Sequence, residues 1–192
     1  MRLTLICCMA LTGAIVSPAL AHTDGWQTNA FACGIAHPLN GADHILAMVT
    51  VGLWGVVAGG RAILLWPITF VSTMLAGFAA AALGLQVPFV EPAIWSSVVI
   101  LGVFVALRVK APVWVGAVIA GLFAFFHGHA HGVEATAVSV VPYATGFALA
   151  TTGLHAAGIG LGLFAKTRWT RTRCAAWSDF SVAQSRCDGA LT

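Results

Sequence analysis

Charge is what this sequence has least of. Only 8% of its 192 residues are Asp, Glu, Lys or Arg, where a soluble domain carries roughly a quarter. That shortage excludes a soluble globular fold, and a formal charge of +3 is too small to point to nucleic acid. Cysteine is sparse too. Beyond Cys7 and Cys8 there are only Cys33, Cys174 and Cys187, without zinc-finger spacing and with no partner for Cys33 on its own side of a membrane, so no disulfide framework is implied. The phosphate-cradling Gly-x-x-x-x-Gly-Lys-Ser/Thr and the zinc-binding HExxH are both missing, so neither ATP-driven work nor that metalloprotease chemistry has its usual signature.

What the chain has is apolar surface: 59% of its residues are hydrophobic and the mean hydropathy is +0.93. This predicts an all-α fold, a polytopic transmembrane helix bundle. Residues 1–21 carry one basic residue, Arg2, an apolar stretch and Ala19-Leu20-Ala21, the pattern of a secretory signal cleaved after Ala21. Five segments then suit spans of about 20 residues: about 33–58, 62–84, 92–109, 112–133 and 142–165. Short Gly- and Pro-containing connections between them predict antiparallel neighbours. The division is a signal peptide at 1–21, a helical membrane domain at 22–165 and a polar, basic, largely disordered tail at 166–192.

Charge placement sets a direction. With His22 starting outside, Arg61, Arg108, Lys110, Lys166, Arg168, Arg171 and Arg173 all fall inside, while Asp24, Glu91 and Glu134 fall outside. The positive-inside rule thus predicts a bacterial inner-membrane protein with a periplasmic mature N-terminus and a cytoplasmic C-terminus. The lipid bilayer is its first partner, and the basic tail anchors that orientation against anionic lipid.

Two polar clusters interrupt the apolar runs at the outer end. The first span begins "AHPLNGADHILAM" (36–48), with His37, Asp43 and His44; the fourth ends "HGHAHGVE" (127–134), with His127, His129, His131 and Glu134. On one continuous helix His37 and His44 would share a face about 10.5 Å apart along the axis, with Cys33 and Met48 extending the stripe as packing residues. His127, His131 and Glu134 fall at i, i+4 and i+7, and His129 points nearly the other way. Gly128 and Gly132 form a small-xxx-small pair for close helix approach. An ionised Asp within a span is costly, about 2.5–3.5 kcal/mol on insertion scales, and a bound divalent cation would offset that cost. Imidazole with carboxylate suits nickel, zinc, cobalt or iron. His155, deeper in the fifth span, reads either as a hydrogen-bonded structural histidine or as the next ligand or proton acceptor on an inward path. His22 could chelate through its freed amine and imidazole together.

"HPLNGADHILAMVTVGLWG" (37–55) and "FHGHAHGVE" (126–134) resemble the two signature motifs of the HupE/UreJ family, and the similarity covers about residues 1–165. The resemblance implies a small bacterial membrane protein associated with nickel supply to hydrogenase and urease. It implies a secondary-type nickel(II) permease or facilitator that is not an enzyme and has no catalytic cofactor. By motif position His37, Asp43, His44, His127, His131 and Glu134 carry over; His129 falls on a variable position. Family members have a further hydrophobic C-terminal helix, whereas this chain turns polar after Lys166. Two other readings stand beside transport: a membrane zinc metallohydrolase, and a non-transporting metal sensor or metallochaperone. The residues leave open the coupling ion, homo-oligomerisation and any partner protein.

Overall fold

Within lipid every backbone N–H and C=O must find a partner inside its own segment, and for single apolar runs the helix does this. A computed structural model describes residues 29–135 and 139–189, and is helical almost throughout. The expected signal peptide and His22 lie outside the described residues.

Helix α1 spans Ala30–Asn40. Asn29 caps it, its side-chain oxygen accepting from the amides of Phe31 (3.1 Å) and Ala32 (3.2 Å). Helix α2 spans Ala42–Ala58 and leaves α1 at an angle of 82°. The continuous helix expected over 33–58 is therefore two helices, and the shared stripe from Cys33 to Met48 does not exist. The cause is local. Pro38 has no N–H to give the preceding turn, and Asn40-Gly41 is a turn-forming pair of low helix propensity. Gly41 adopts extended angles, φ −100° and ψ 117°, where the helix stops.

Four further helices follow: α3 (Ala62–Ala82), α4 (Val90–Ala106), α5 (Val113–Glu134) and α6 (Val140–Gly189). Among the described residues, three helical stretches are long and apolar enough to cross a membrane: Ala62–Ala82, Val113–Val133 and Val140–Arg168. The bent α1–α2 pair makes a fourth if counted as one span. Helix α4, at 17 residues, rises roughly 25 Å against a hydrocarbon core of about 30 Å. All five expected segments are helical, but by length and composition only three, or four with the bent pair, suit a full span. The tail differs as well: α6 continues through Gly189 where disorder was expected, and the sequence from Leu163 to Asp188 contains neither Gly nor Pro to stop it.

Two pairings organise the bundle. Helices α3 and α5 pack most extensively, and Gly128 is why: a Cβ there would collide with the backbone of Met74. Helix α6 lies in the same manner on α1 and α2; a Cβ on Gly52 would strike the carbonyl of His155. Along α3 and α6 the contact is made by side chains. Phe70 and His155 stand 5.0 Å apart between ring centroids, Thr151 Oγ1 reaches Met74 Sδ at 3.6 Å, and Phe78 and Phe147 are 6.5 Å apart. These three contacts step down antiparallel α3 and α6 one turn at a time.

At the other end of α2, Trp54 and Trp66 are fully buried with centroids 4.1 Å apart. Their indole N–H groups donate to the carbonyls of Val109 (2.9 Å) and Val113 (2.8 Å), pinning the α4–α5 connection. Within that connection Arg108 has φ 53°, a left-handed conformation costing an L-residue about 1 kcal/mol.

Candidate functional site

The bend at Gly41 places His37 and His44 on two differently directed helices, and both turn toward α5. His131 receives them: its ring centroid is 4.5 Å from that of His37, edge to face, and 4.6 Å from that of His44. His127, one turn earlier on α5, stands 5.0 Å from His44. Four imidazoles from three helices thus form one contiguous cluster. Phe147 closes it at 4.2 Å from His131, and Tyr143 lies 6.1 Å from His37.

Hydrogen bonds fix how two of these rings present themselves. His127 Nδ1 donates to the carbonyl of Phe123 at 2.9 Å; a carbonyl can only accept, so Nε2 keeps its lone pair. His44 Nδ1 donates to Asp43 Oδ1 at 3.0 Å, leaving its Nε2 the acceptor. Both Nε2 atoms are buried and have no hydrogen-bond partner among the described residues. A carbonyl or carboxylate behind one imidazole nitrogen, with the other exposed to a ligand, is how metal-binding histidines are held. Asp43 therefore stands behind His44 rather than beside it. It occupies the first turn of α2, where a negative charge also meets the positive end of the helix dipole.

The cluster is not a closed cage. Among the described residues no three His, Cys, Asp or Glu side chains are already placed to hold a metal ion; the rings pack against one another instead. The backbone of Glu134 ends α5, but its side chain lies outside the described residues.

His129 stands apart. Helix α5 is unbroken there, and His129 Nε2 donates to the carbonyl of Leu85 at 2.7 Å, tying α5 to the α3–α4 connection. His155 is deeper, 1% exposed, with neither ring nitrogen hydrogen-bonded among the described residues. It is separated from the cluster by Phe70, whose ring centroid is 5.8 Å from His127 and 5.0 Å from His155. Phe70, Tyr143 and Phe147 were not singled out from sequence. The i, i+4 run Tyr143, Phe147, Thr151, His155 was the signal available, one face of α6 carrying its aromatic and polar residues together.

A bent, apolar helix bundle with a part-buried histidine cluster at the meeting of three helices defines a helical membrane protein. The chain belongs to the HupE/UreJ family: the family model described as HupE / UreJ protein matches residues 9–183. The match runs past the 165 expected and into the polar C-terminal stretch. Protein HupE of Rhizobium leguminosarum bv. viciae is 43% identical over 150 residues, covering 77% of this chain and 78% of that protein. No solved structure matches.

Proposed function

We propose that this chain is a secondary-type permease or facilitator that takes up a divalent transition-metal ion across the bacterial inner membrane, with its mature N-terminus periplasmic and its C-terminus cytoplasmic. Nickel(II) is the first cargo, on the strength of the family's association with nickel supply to hydrogenase and urease; the ligand chemistry also admits zinc, cobalt and iron. The observation that carries the reading is the pair of buried, unpartnered Nε2 lone pairs on His44 and His127. A buried polar atom without a partner is unfavourable, and coordination to an entering cation would relieve it.

His37, His44, His127 and His131 are the binding histidines. Asp43 holds His44 and balances the ion's charge, and Glu134 stands at the outer end of the same helix as His127 and His131. His155 is a second station beyond Phe70. An incomplete ligand set suits conduction, because an ion caged by a full set would not leave. No ATP site is needed for inward movement. A membrane potential of 100 mV supplies about 2.3 kcal/mol per charge, so a divalent ion is drawn inward by roughly twice that. Family membership also weighs against the hydrolase reading, since the family comprises metal-transport and accessory proteins.

The test is uptake of radioactive nickel into intact cells, comparing the wild-type chain with Asp43→Asn and His131→Ala at matched membrane levels. Wild-type uptake above background, lowered about 10–100-fold in both variants, supports the reading. Undiminished uptake in both would overturn the site. A correctly inserted wild-type chain that binds nickel without moving it would be a sensor or metallochaperone.

A further inference from the structure

At the end of the bundle away from the histidines, α2, the end of α4, the α4–α5 connection and α6 line a half-open cavity of about 420 Å³. Leu53 lies nine residues along α2 from His44, about 13 Å of helix rise, so this cavity is separate from the cluster. Its lining divides into two chemistries. Leu53, Val56 and Val57 of α2, with Val105, make an apolar wall; Arg108, Lys110 and Lys166 make a cationic rim from two chain segments far apart in sequence. Gly162 and Ala165 are the small residues of α6 that leave the space open.

The rim is built rather than incidental. The connection bearing Arg108 and Lys110 is clamped on both sides by the indole N–H bonds of Trp54 to Val109 and of Trp66 to Val113. Arg108 itself occupies a position where glycine is the ordinary occupant. It follows the last turn of α4 with φ 53°, and the amide of Val109 reaches back to the carbonyl of Phe104 at 2.8 Å, the helix-ending arrangement that favours Gly. The backbone accepts a strained conformation, and the residue there carries a cation.

We propose that this cavity binds an anionic phospholipid. Its phosphate meets Arg108, Lys110 and Lys166, and one acyl chain runs along the Leu53–Val56–Val57 wall. A basic rim joined to an apolar groove between membrane helices is the combination that selects anionic headgroups, because an inorganic anion has no use for the wall and an uncharged apolar molecule has none for the rim. The site owes nothing to the transport reading and stands or falls alone.

The experiment uses the full chain, purified in mild detergent and returned to nanodiscs with equal phosphatidylglycerol and phosphatidylcholine, then read by native mass spectrometry for retained lipid. Three chains are compared: wild type, Arg108→Gly and Lys166→Gln. Arg108→Gly removes the charge while giving the turn its preferred residue, so a change cannot be put down to misfolding. The expected result is preferential phosphatidylglycerol retention by the wild type, weakened about fivefold for each charge removed, and unaffected by millimolar inorganic phosphate. Equal retention of the two lipids, retention unchanged in both variants, or displacement by inorganic phosphate alone would each overturn the proposal.

Discussion

Phe70 and His155 meet ring to ring in a T-shaped contact, 5.0 Å between centroids, on the inner side of the histidine cluster. Phe70 is fully buried and touches His127 with the same ring. On the proposed inward path, a cation passing from His127 to His155 would have to displace it. Phe70→Leu, which keeps the site apolar and loses ring breadth, is expected to raise nickel uptake a few-fold and to reduce discrimination against magnesium. Uptake of both ions in vesicles measures this, and unchanged rate and selectivity would reduce Phe70 to packing.

Gly41 sits over the Asp43–His44 pair: a Cβ there would come within 2.8 Å of Asp43 Oδ1 and 2.9 Å of His44 Nδ1. Its backbone angles suit any residue, so Gly41→Ala strains only side-chain ends. Melting temperature should hardly move, while nickel affinity by calorimetry falls about tenfold through the displaced pair. A large loss of stability with affinity intact would reverse that assignment.

Gly128 is the opposite case. Its missing Cβ faces the Met74 backbone, which cannot swing aside, so Gly128→Ala must push α3 and α5 apart. The cost expected is about 1–3 kcal/mol, visible as early aggregation in a thermal ramp monitored by size-exclusion fluorescence. Wild-type thermal behaviour would mean the interface is looser than its geometry.

His129 lies between two cluster histidines in sequence but bonds Leu85 instead. His129→Ala should leave nickel uptake within about twofold of wild type while amide exchange at residues 84–88 accelerates, because a hydrogen bond worth about 1 kcal/mol is gone. Uptake lost as completely as in His131→Ala would bring His129 into the site.

Much of this arrangement could be read from residues alone. The two polar clusters, the helical class and the family all follow from composition, spacing and motif. His129's divergence from His127 and His131 follows from 100° per residue on an unbroken helix. Three features did not come through. The bend was written in Pro38, Asn40 and Gly41, but hydrophobicity on both sides reads as one continuous span when only apolar length is weighed. The helical course of α6 beyond Lys166 is hidden because its polarity reads as disorder, although no breaker interrupts it. The hydrogen bond from His44 Nδ1 to Asp43 is invisible in sequence, since adjacent residues on a straight helix point 100° apart, and whether they bond depends on the rotamers chosen in the first turn after a bend.

The glycine contacts have a mechanical corollary. Where backbone rests on backbone, as Gly128 does on Met74 and Gly52 on the His155 carbonyl, sliding is resisted because no flexible side chain lies between to absorb it. The α3–α5 and α6–α1/α2 pairings are therefore stiff, and α2 is tied to α3 in the same way where Gly55 meets the Ala62 backbone. His127, His131 and Phe70 ride on the first pairing; His37, His44 and His155 ride on the second. If those imidazoles bind the proposed ion, a small rocking between α5 and α6 would change how many of them it touches without unfolding a helical turn.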